Sequence, residues 1–416
     1  MLLEFRMRNF RSFKGEAVLS MVASPDRHAE ANVALTAIKS IPGVLRTAVL
    51  YGPNAGGKSN FVRGLLMMRS LVVDSAVNVQ LGQTFNIQPF RLDREFEHEP
   101  TEFEVTFLHE GVRYQYGFTL TPDRIHSEWL IVYRTAKPQQ WFSRSISPGK
   151  NADHYEFGSH LSGPRRVWQE STRPNALFLS TAIQLNSDQL RPVFDFLANK
   201  VNIVFEGQTP ALAFTNGYMQ RFPKDNGVTN FLNDADISIA KIGLSPRKGL
   251  IQQFQISAEA GFTGTNPVEA EILVPDFEHR TEKGTAVFEL VDESEGTRRL
   301  YALAGPVLDI IREGHILVVD ELDRSLHTLL VRRLIQLFQD PEVNKNGAQL
   351  IFTTHDTSLL NADLFRRDQV WFVEKDREQA STLVPLVEFS PRKNEALEKG
   401  YLSGRYGAIP ILKEPA

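Results

Sequence analysis

An α/β fold, with an antiparallel β-subdomain and an inserted helical lobe, is predicted by three features of the sequence. The first is Gly52-Pro53-Asn54-Ala55-Gly56-Gly57-Lys58-Ser59, set between the apolar run Thr47-Ala48-Val49-Leu50-Tyr51 and a stretch where Phe61, Leu65 and Met68 recur at helical spacing. The second is Ile316-Leu317-Val318-Val319, an apolar run ending in the acids Asp320 and Glu321, the pattern of a buried parallel strand that delivers carboxylates to a crevice. The third is a series of alternating runs after the first helix that reads as an antiparallel meander rather than as βαβ units.

In chain order, Leu3-Glu4-Phe5-Arg6-Met7 alternates as a first strand, and Asn9-Phe10-Arg11-Ser12-Phe13 turns the chain toward a second. The glycine-rich loop follows. A turn of this kind aims consecutive backbone N–H groups at a phosphate chain, and the N-terminus of the next helix adds partial positive charge. Lys58 would reach the β- and γ-phosphates of ATP, and Ser59 would offer its hydroxyl to Mg²⁺. Gly52, Asn54, Ala55, Gly56 and Gly57, with Asn60 just beyond, are the other candidate ATP contacts of this segment.

Phe103, Val105 and Phe107 then share one face, His109-Glu110-Gly111 reverses the chain, and Tyr114, Tyr116 and Phe118 answer them. Thr121-Pro122-Asp123 marks the next turn, before a strand over Ile125–Tyr133. From Ala182 to Ile242 the character changes: Leu190, Phe194 and Leu197 have helical periodicity, and Gly207 to Asn226 is rich in Gly, Pro and Asn. Short β-prone runs at Phe254-Gln255-Ile256 and Ala286-Val287-Phe288-Glu289-Leu290 are expected to return the chain to the core. The predicted domains are residues 1–181, with the loop and the antiparallel sheet; 182–285, an inserted helical lobe; and 286–416, with the acidic strand.

Composition narrows the classes. The 416 residues, 42% hydrophobic and 23% charged, are ordinary for a globular protein of two or three domains. The chain has no cysteine, which excludes disulfides, thiolate metal sites and cysteine nucleophiles and fits a cytoplasmic setting. Charges interrupt the N-terminal apolar residues, unlike a signal peptide, and no stretch approaches the length of a membrane span. A net charge of −4 argues against coating nucleic acid by bulk electrostatics. The basic pairs Arg165-Arg166, Arg298-Arg299, Arg332-Arg333 and Arg366-Arg367 read chiefly as solvated helix faces or ends.

The acids supply the second half of a catalytic reading: Asp320 would hold Mg²⁺, and Glu321 would act as general base on an attacking water. Upstream, Glu293-Ser294-Glu295-Gly296-Thr297 opens a helical stretch to Arg312; Ser-x-Gly-Thr suits anion binding by exposed N–H groups and equally caps ordinary helices. Downstream lie Leu322-Asp323-Arg324-Ser325-Leu326-His327 and the apolar run Leu350-Ile351-Phe352-Thr353-Thr354-His355-Asp356.

Together, Asn9–Phe13, the glycine-rich loop with Asn54, Ser294-Glu295-Gly296-Thr297, Val319-Asp320-Glu321 and Thr353-Thr354-His355-Asp356 resemble the ABC-class ATPases of the SMC and RecF type. The strand Asp368–Lys375 and the tail Tyr401-Leu402-Ser403-Gly404-Arg405-Tyr406-Gly407-Ala408-Ile409-Pro410 resemble, more narrowly, the AAA/ABC-type ATPases of bacterial abortive-infection and anti-phage systems. The resemblance implies an ABC-type ATPase head in which Ser294 and Gly296 of one subunit complete the γ-phosphate site of another, in a head-to-tail homodimer or higher oligomer. It implies that His355 touches the γ-phosphate or the lytic water, that Gln88 senses Mg²⁺, and that Arg11 and Ser12 lie near the nucleotide. The segment between Lys58 and Asp320 is too short for the long coiled-coil arms of SMC proteins, because a helix rises only about 1.5 Å per residue.

Relatives of this branch can carry a fused TOPRIM nuclease, but little beyond a strand and a tail follows His355, so the effector is expected to be a separate protein encoded nearby. The function implied is an ATP-hydrolysing sensor or scaffold for that effector, responding to a nucleic-acid or phage-derived trigger, without a membrane partner. The alternative is a RecF-like DNA-repair ATPase that binds or clamps DNA.

Overall fold

Alternation of buried and solvent-facing side chains shapes β1 (Leu2–Arg8), which buries Leu2, Leu3, Phe5 and Met7 and leaves Arg8 in solvent. The computed structural model describes residues 1–147, 152–205, 212–235, 237–257, 261–324, 326–391 and 395–409, and only the backbone over 249–270. Ser325, Pro410 and positions 207–211 of the Gly/Pro/Asn-rich interval lie outside the described residues.

After β1 come β2 (Ala17–Ser20), the small ribbon of β3 (Val33–Leu35) and β4 (Gly43–Leu45), the wholly buried β5 (Thr47–Tyr51) and helix α1 (Lys58–Asp74). The meander is β6 (Thr101–His109), β7 (Val112–Leu120), β8 (Ile125–Tyr133), β9 (Gln139–Ile146) and β10 (Asp153–Phe157). It joins β1 and β2 in an antiparallel sheet ordered β10-β9-β8-β7-β6-β1-β2. Phe103, Val105 and Phe107 stand opposite Phe118, Tyr116 and Tyr114, as their alternation predicts. The hairpin closes through Glu110 at φ +49° and Gly111 at φ +75°, the doubly positive turn that matches the twist of its strands.

Helices α2 (Arg165–Ser171), α3 (Phe178–Gln184) and α4 (Arg191–Asp195) follow, with a single π turn at Phe196–Lys200 before β11 (Val201–Val204). Next come α5 (Leu212–Arg221), α6 (Gly227–Asn233), β12 (Lys241–Ser257), β13 (Gly261–Thr281), β14 (Gly284–Glu289) and α7 (Glu295–Glu313). The chain ends with β15 (Ile316–Val319), α8 (Thr328–Gln339), β16 (Gln349–Thr353), β17 (Val370–Lys375), β18 (Ser381–Pro385) and α9 (Leu397–Leu402).

Two compact units result: residues 1–206 with 311–416, and residues 207–310. The boundaries differ from the expected 182–285 insert at both ends. At the first, Phe178, Leu190, Val193 and Phe196 belong to the main core, with Phe196 stacked on Phe107 at 3.8 Å, and β11 pairs in parallel with β15. Helical periodicity shows an apolar face but not what the face meets. At the second, Ala286–Leu290 does not return to the core: β14 is an exposed strand of a β12-β13-β14 antiparallel sheet within the second unit. That unit therefore combines the expected helices with a long hairpin.

In the first unit a single core serves both sheets. Phe61, Leu65, Met68 and Val72 of α1 share it with Phe5 and Met7 of β1 and with Ala48 and Leu50 of β5. Two charged networks are built into this unit. Glu128 is fully buried and accepts hydrogen bonds from the N–H groups of Phe178 (2.6 Å) and Leu179 (2.9 Å), at the start of α3, and from the Tyr116 hydroxyl (3.0 Å). Arg366, expected at a solvated helix end, is 1% exposed: it pairs with Asp368 at 2.7 Å and donates to the carbonyls of Asp26 and His28. The carbonyls it meets come from distant sequence, so a basic pair alone could not reveal the burial. Among the described residues no helix is long and apolar enough to cross a membrane.

Glu128→Ala would leave three buried donors without their acceptor. The expected cost is about 3 kcal/mol of unfolding free energy in urea titrations, and a loss below about 1 kcal/mol would rule out the anchoring role of this carboxylate.

Candidate nucleotide site

Parallel pairing decides where the predicted residues meet. The central sheet is ordered β11-β15-β16-β5-β17-β18, and every neighbouring pair from β11 to β17 is parallel. The strands therefore end on one edge. There β5 runs into the glycine-rich loop, β15 into Asp320 and Glu321, and β16 into Thr354 and His355.

The loop is pressed against its neighbours. At Gly52 (φ +156°) a β-carbon would collide with the Val373 carbonyl of β17, and at Gly57 (φ +122°) with the Ser381 hydroxyl at the start of β18. Ala55, at φ +61°, takes the left-handed conformation without being glycine. The Ser381 hydroxyl lies 2.6 Å from the Gly56 carbonyl and 2.8 Å from the Ser12 hydroxyl, which also accepts from Asn60 Nδ2 at 2.9 Å. The backbone reinforces the tie, since Ser381 N–H donates to the Ser12 carbonyl at 2.7 Å. Ser12 and Asn60 are thus brought to the loop, through a serine the sequence reading did not single out.

Arg11 and Gln88 are joined through their backbones, Arg11 N–H donating to the Gln88 carbonyl at 2.7 Å. The Arg11 guanidinium lies over the Phe10 ring, and burial, followed by the neighbouring Arg63, lowers its pKa. The Gln88 side chain is exposed and lines a 540 Å³ cavity with Arg91, His98 and Asp123, which includes no residue of the glycine-rich loop. A separate 770 Å³ cavity is lined by Gly52–Gly56, Asn54 included, and by His355.

No side chain caps the N-terminus of α1, so its first N–H groups are offered to whatever binds there. Lys58 is 5% exposed, and its ammonium donates to the carbonyls of Gly52 at 2.8 Å and Pro53 at 3.3 Å. Burial brings the ammonium down to about 8, against the upward pull of Glu321, Asp320 and Asp323. The cation of one distant stretch thus lies within the field of the acids of the other.

Thr353 organises those acids. Its hydroxyl donates to the buried Asp320 carboxylate at 2.8 Å and accepts the Glu321 N–H at 2.7 Å, while its carbonyl accepts from Leu322 N–H at 3.1 Å. Glu321 sits at φ +57°, a left-handed conformation that costs a non-glycine residue about 1 kcal/mol and that these bonds hold. Its carboxylate lies 3.8 Å from His355 Nε2 and 3.4 Å from Arg324. Burial, then Lys58, lowers the His355 pKa, which favours the neutral ring. His355 N–H donates to Asp323 at 3.3 Å, joining the turn after β15 to the segment after β16.

Ser294 and Gly296 belong to the second unit, exposed at the start of α7. The Ser294 hydroxyl accepts the Thr297 N–H at 3.1 Å, which is a helix cap. In the first unit the arrangement can hold a polyanion through an uncapped helix start and a buried cation, and it sets a carboxylate and a neutral imidazole beside that anion. Of the residues missed, Thr353 had a signal, a hydroxyl ending an apolar strand beside a histidine. Ser381 had none.

The chain is similar in structure to the SMC head domain from Thermotoga maritima, at 15% identity and a TM-score of 0.41, over 92% of this chain and 98% of that one. It is also similar to an Smc head domain with an extended coiled coil derived from Pyrococcus furiosus, at 13% identity and 0.40, over 93% and 97%. A third likeness is to cbiO1 from Clostridium perfringens, part of the ABC transporter complex cbiONQ, at 11% identity and 0.33, over 97% and 96%. No curated protein matches the sequence. A family model described as "AAA domain, putative AbiEii toxin, Type IV TA system" matches residues 48–361, from β5 and the glycine-rich loop through β15 to the segment after His355. That span contains both halves of the site and covers most of the chain, and the chain belongs to this family of AAA domains.

Proposed function

We propose that this chain binds ATP with Mg²⁺ and hydrolyses it, as an SMC/RecF-like regulatory ATPase that serves as sensor or scaffold for a separate effector in anti-phage defence. The observation that carries the catalytic part is the buried ammonium of Lys58 in the field of Asp320, Glu321 and Asp323, at the edge where the glycine-rich loop begins. The glycines that admit no side chain and the uncapped start of α1 fit a triphosphate.

In this reading Gly52, Asn54, Ala55, Gly56, Gly57 and Asn60 surround the phosphates, and Lys58 meets the β- and γ-phosphates. Ser59 and Asp320 would hold Mg²⁺, which when bound offsets the charge of the phosphate oxygens. Gln88 faces the other cavity and is not part of the set we propose. Water attacks the γ-phosphorus as Glu321 accepts its proton, the bond to the β-phosphate oxygen breaks, and ADP and phosphate leave. His355, beside Glu321, steadies the water or the γ-phosphate. Ser294 and Gly296, exposed on the second unit, would meet the nucleotide of another copy in a head-to-tail oligomer. A toxin–antitoxin setting is supported by the family description, which names a putative AbiEii toxin and a type IV toxin–antitoxin system.

Lys58→Ala is expected to abolish binding of a fluorescent ATP analogue. Glu321→Gln should keep binding and slow turnover at least about 10²-fold, and unchanged steady-state hydrolysis would remove Glu321 from the mechanism. Thr353→Val, which deprives Asp320 of a donor and Glu321 of an acceptor, should lower kcat by about 10- to 100-fold with binding retained; an unaltered kcat would show that the carboxylates do not depend on this hydroxyl. Mixing Ser294→Arg with Lys58→Ala subunits should restore one intact site and part of the activity, and a mixture as inactive as its parts would argue against sites shared between subunits. Purification from the native host should recover a neighbouring gene product. If it instead recovers DNA bound with strong salt dependence, the repair reading replaces the defence one.

A further inference from the structure

The C-terminal segment carries contacts that the hydrolytic site does not itself require. Tyr51, the last residue before the glycine-rich loop, donates its hydroxyl to the Asp356 carbonyl at 3.1 Å, immediately after His355. Thr357, the next residue, donates its hydroxyl to the Glu398 carboxylate of α9 at 3.0 Å. Tyr401 of the same helix returns to Tyr51, ring centroids 5.7 Å apart, and stacks on Phe372 of β17 at 5.4 Å. The three contacts form a closed triangle among the loop-bearing strand, the segment after His355 and α9.

The residues beyond α9 are held as firmly. Tyr401 donates to the Ala408 carbonyl at 2.8 Å, Ala408 N–H donates to Glu374 at 2.7 Å, and Tyr406 also stacks on Phe372, ring centroids 5.6 Å apart. Gly407 (φ +64°) lies so close to Glu374 that a β-carbon would press on its carboxylate. Tyr401, Leu402, Ala408 and Ile409 line the 770 Å³ cavity opposite Gly52–Gly56 and His355. The tail is thus a wall of the cavity, and its helix is bonded to the chain two residues from His355.

We propose that α9 is a positioning element of the ATPase: Glu398 and Tyr401 fix the Asp356–Thr357 segment against Tyr51 and so set His355 relative to the glycine-rich loop. Neither residue touches the reacting atoms; each acts through the backbone that bears His355. Displacing that backbone misorients the imidazole while the loop, Lys58 and the start of α1 still hold the phosphates, so the loss falls on turnover rather than on binding. The inference rests on the ATP-hydrolysing reading of the same site.

The test compares the full chain with Thr357→Val, Glu398→Ala and Glu398→Gln, measuring kcat, KM and the Kd of a slowly hydrolysed ATP analogue, with urea denaturation to check folding. Thr357→Val and Glu398→Ala should lower kcat about tenfold or more with Kd changed less than about twofold, and Glu398→Gln, which keeps an oxygen acceptor, should recover most of the rate. If Glu398→Ala does not fold, Thr357→Val decides, since it changes only the hydroxyl. Wild-type hydrolysis with an undiminished kcat in Thr357→Val, or equal losses of binding and turnover, would overturn the positioning role alone. No hydrolysis by the wild-type chain would overturn the ATPase reading, and this inference with it.

Discussion

The site depends on the parallel pairing of β15, β16, β5 and β17. Parallel strands end on the same edge, so residues far apart in sequence are delivered to one line. Antiparallel pairing of β16 with β5 would send Lys58 and His355 to opposite edges. The antiparallel sheet has another part: with α1 it encloses the core behind the loop and so fixes the helix whose uncapped N-terminus follows that loop.

On that edge the fine geometry is set by hydroxyls. Thr353 joins the ends of β15 and β16 and holds Glu321 in a left-handed conformation, and Ser381 joins β18 to the loop and to Ser12. A hydroxyl can donate and accept at once, so one small side chain ties together two segments with no sequence relation to each other. The strain at Glu321 is local and is offset by the bond its N–H makes, and the carboxylate lies 3.8 Å from His355.

Electrostatics follow from burial. Burial lowers Lys58 to about 8 and His355 below its ordinary value, and the two groups oppose each other's charge, while Glu321, Asp320 and Asp323 partly offset the effect of burial on Lys58. A polyanion entering this site would favour protonated Lys58 and would relieve the cost of burying it. The imidazole, by contrast, is kept neutral and able to accept a proton or a hydrogen bond.

The glycine-rich loop, the acidic strand and the meander were legible because each is a local signal: a spacing, a period, or a short run with a defined end. The pairing of Phe103, Val105 and Phe107 with Phe118, Tyr116 and Tyr114 followed from alternation alone. The limits of the second unit were not legible, because the apolar faces of α3 and α4 look alike whether they meet an insert or the main core, and because β14 reads like a core strand yet is exposed. Gln88 likewise carried no sign of which cavity it faces. By itself the sequence determined which residues have the chemistry of a triphosphate site, since backbone conformation and side-chain type are properties of short segments. Only the tertiary structure decided that Ser381 bonds the loop, Thr353 the acids and Glu398 the segment after His355, because these partners lie on other elements and are joined by contacts that leave no trace in local sequence.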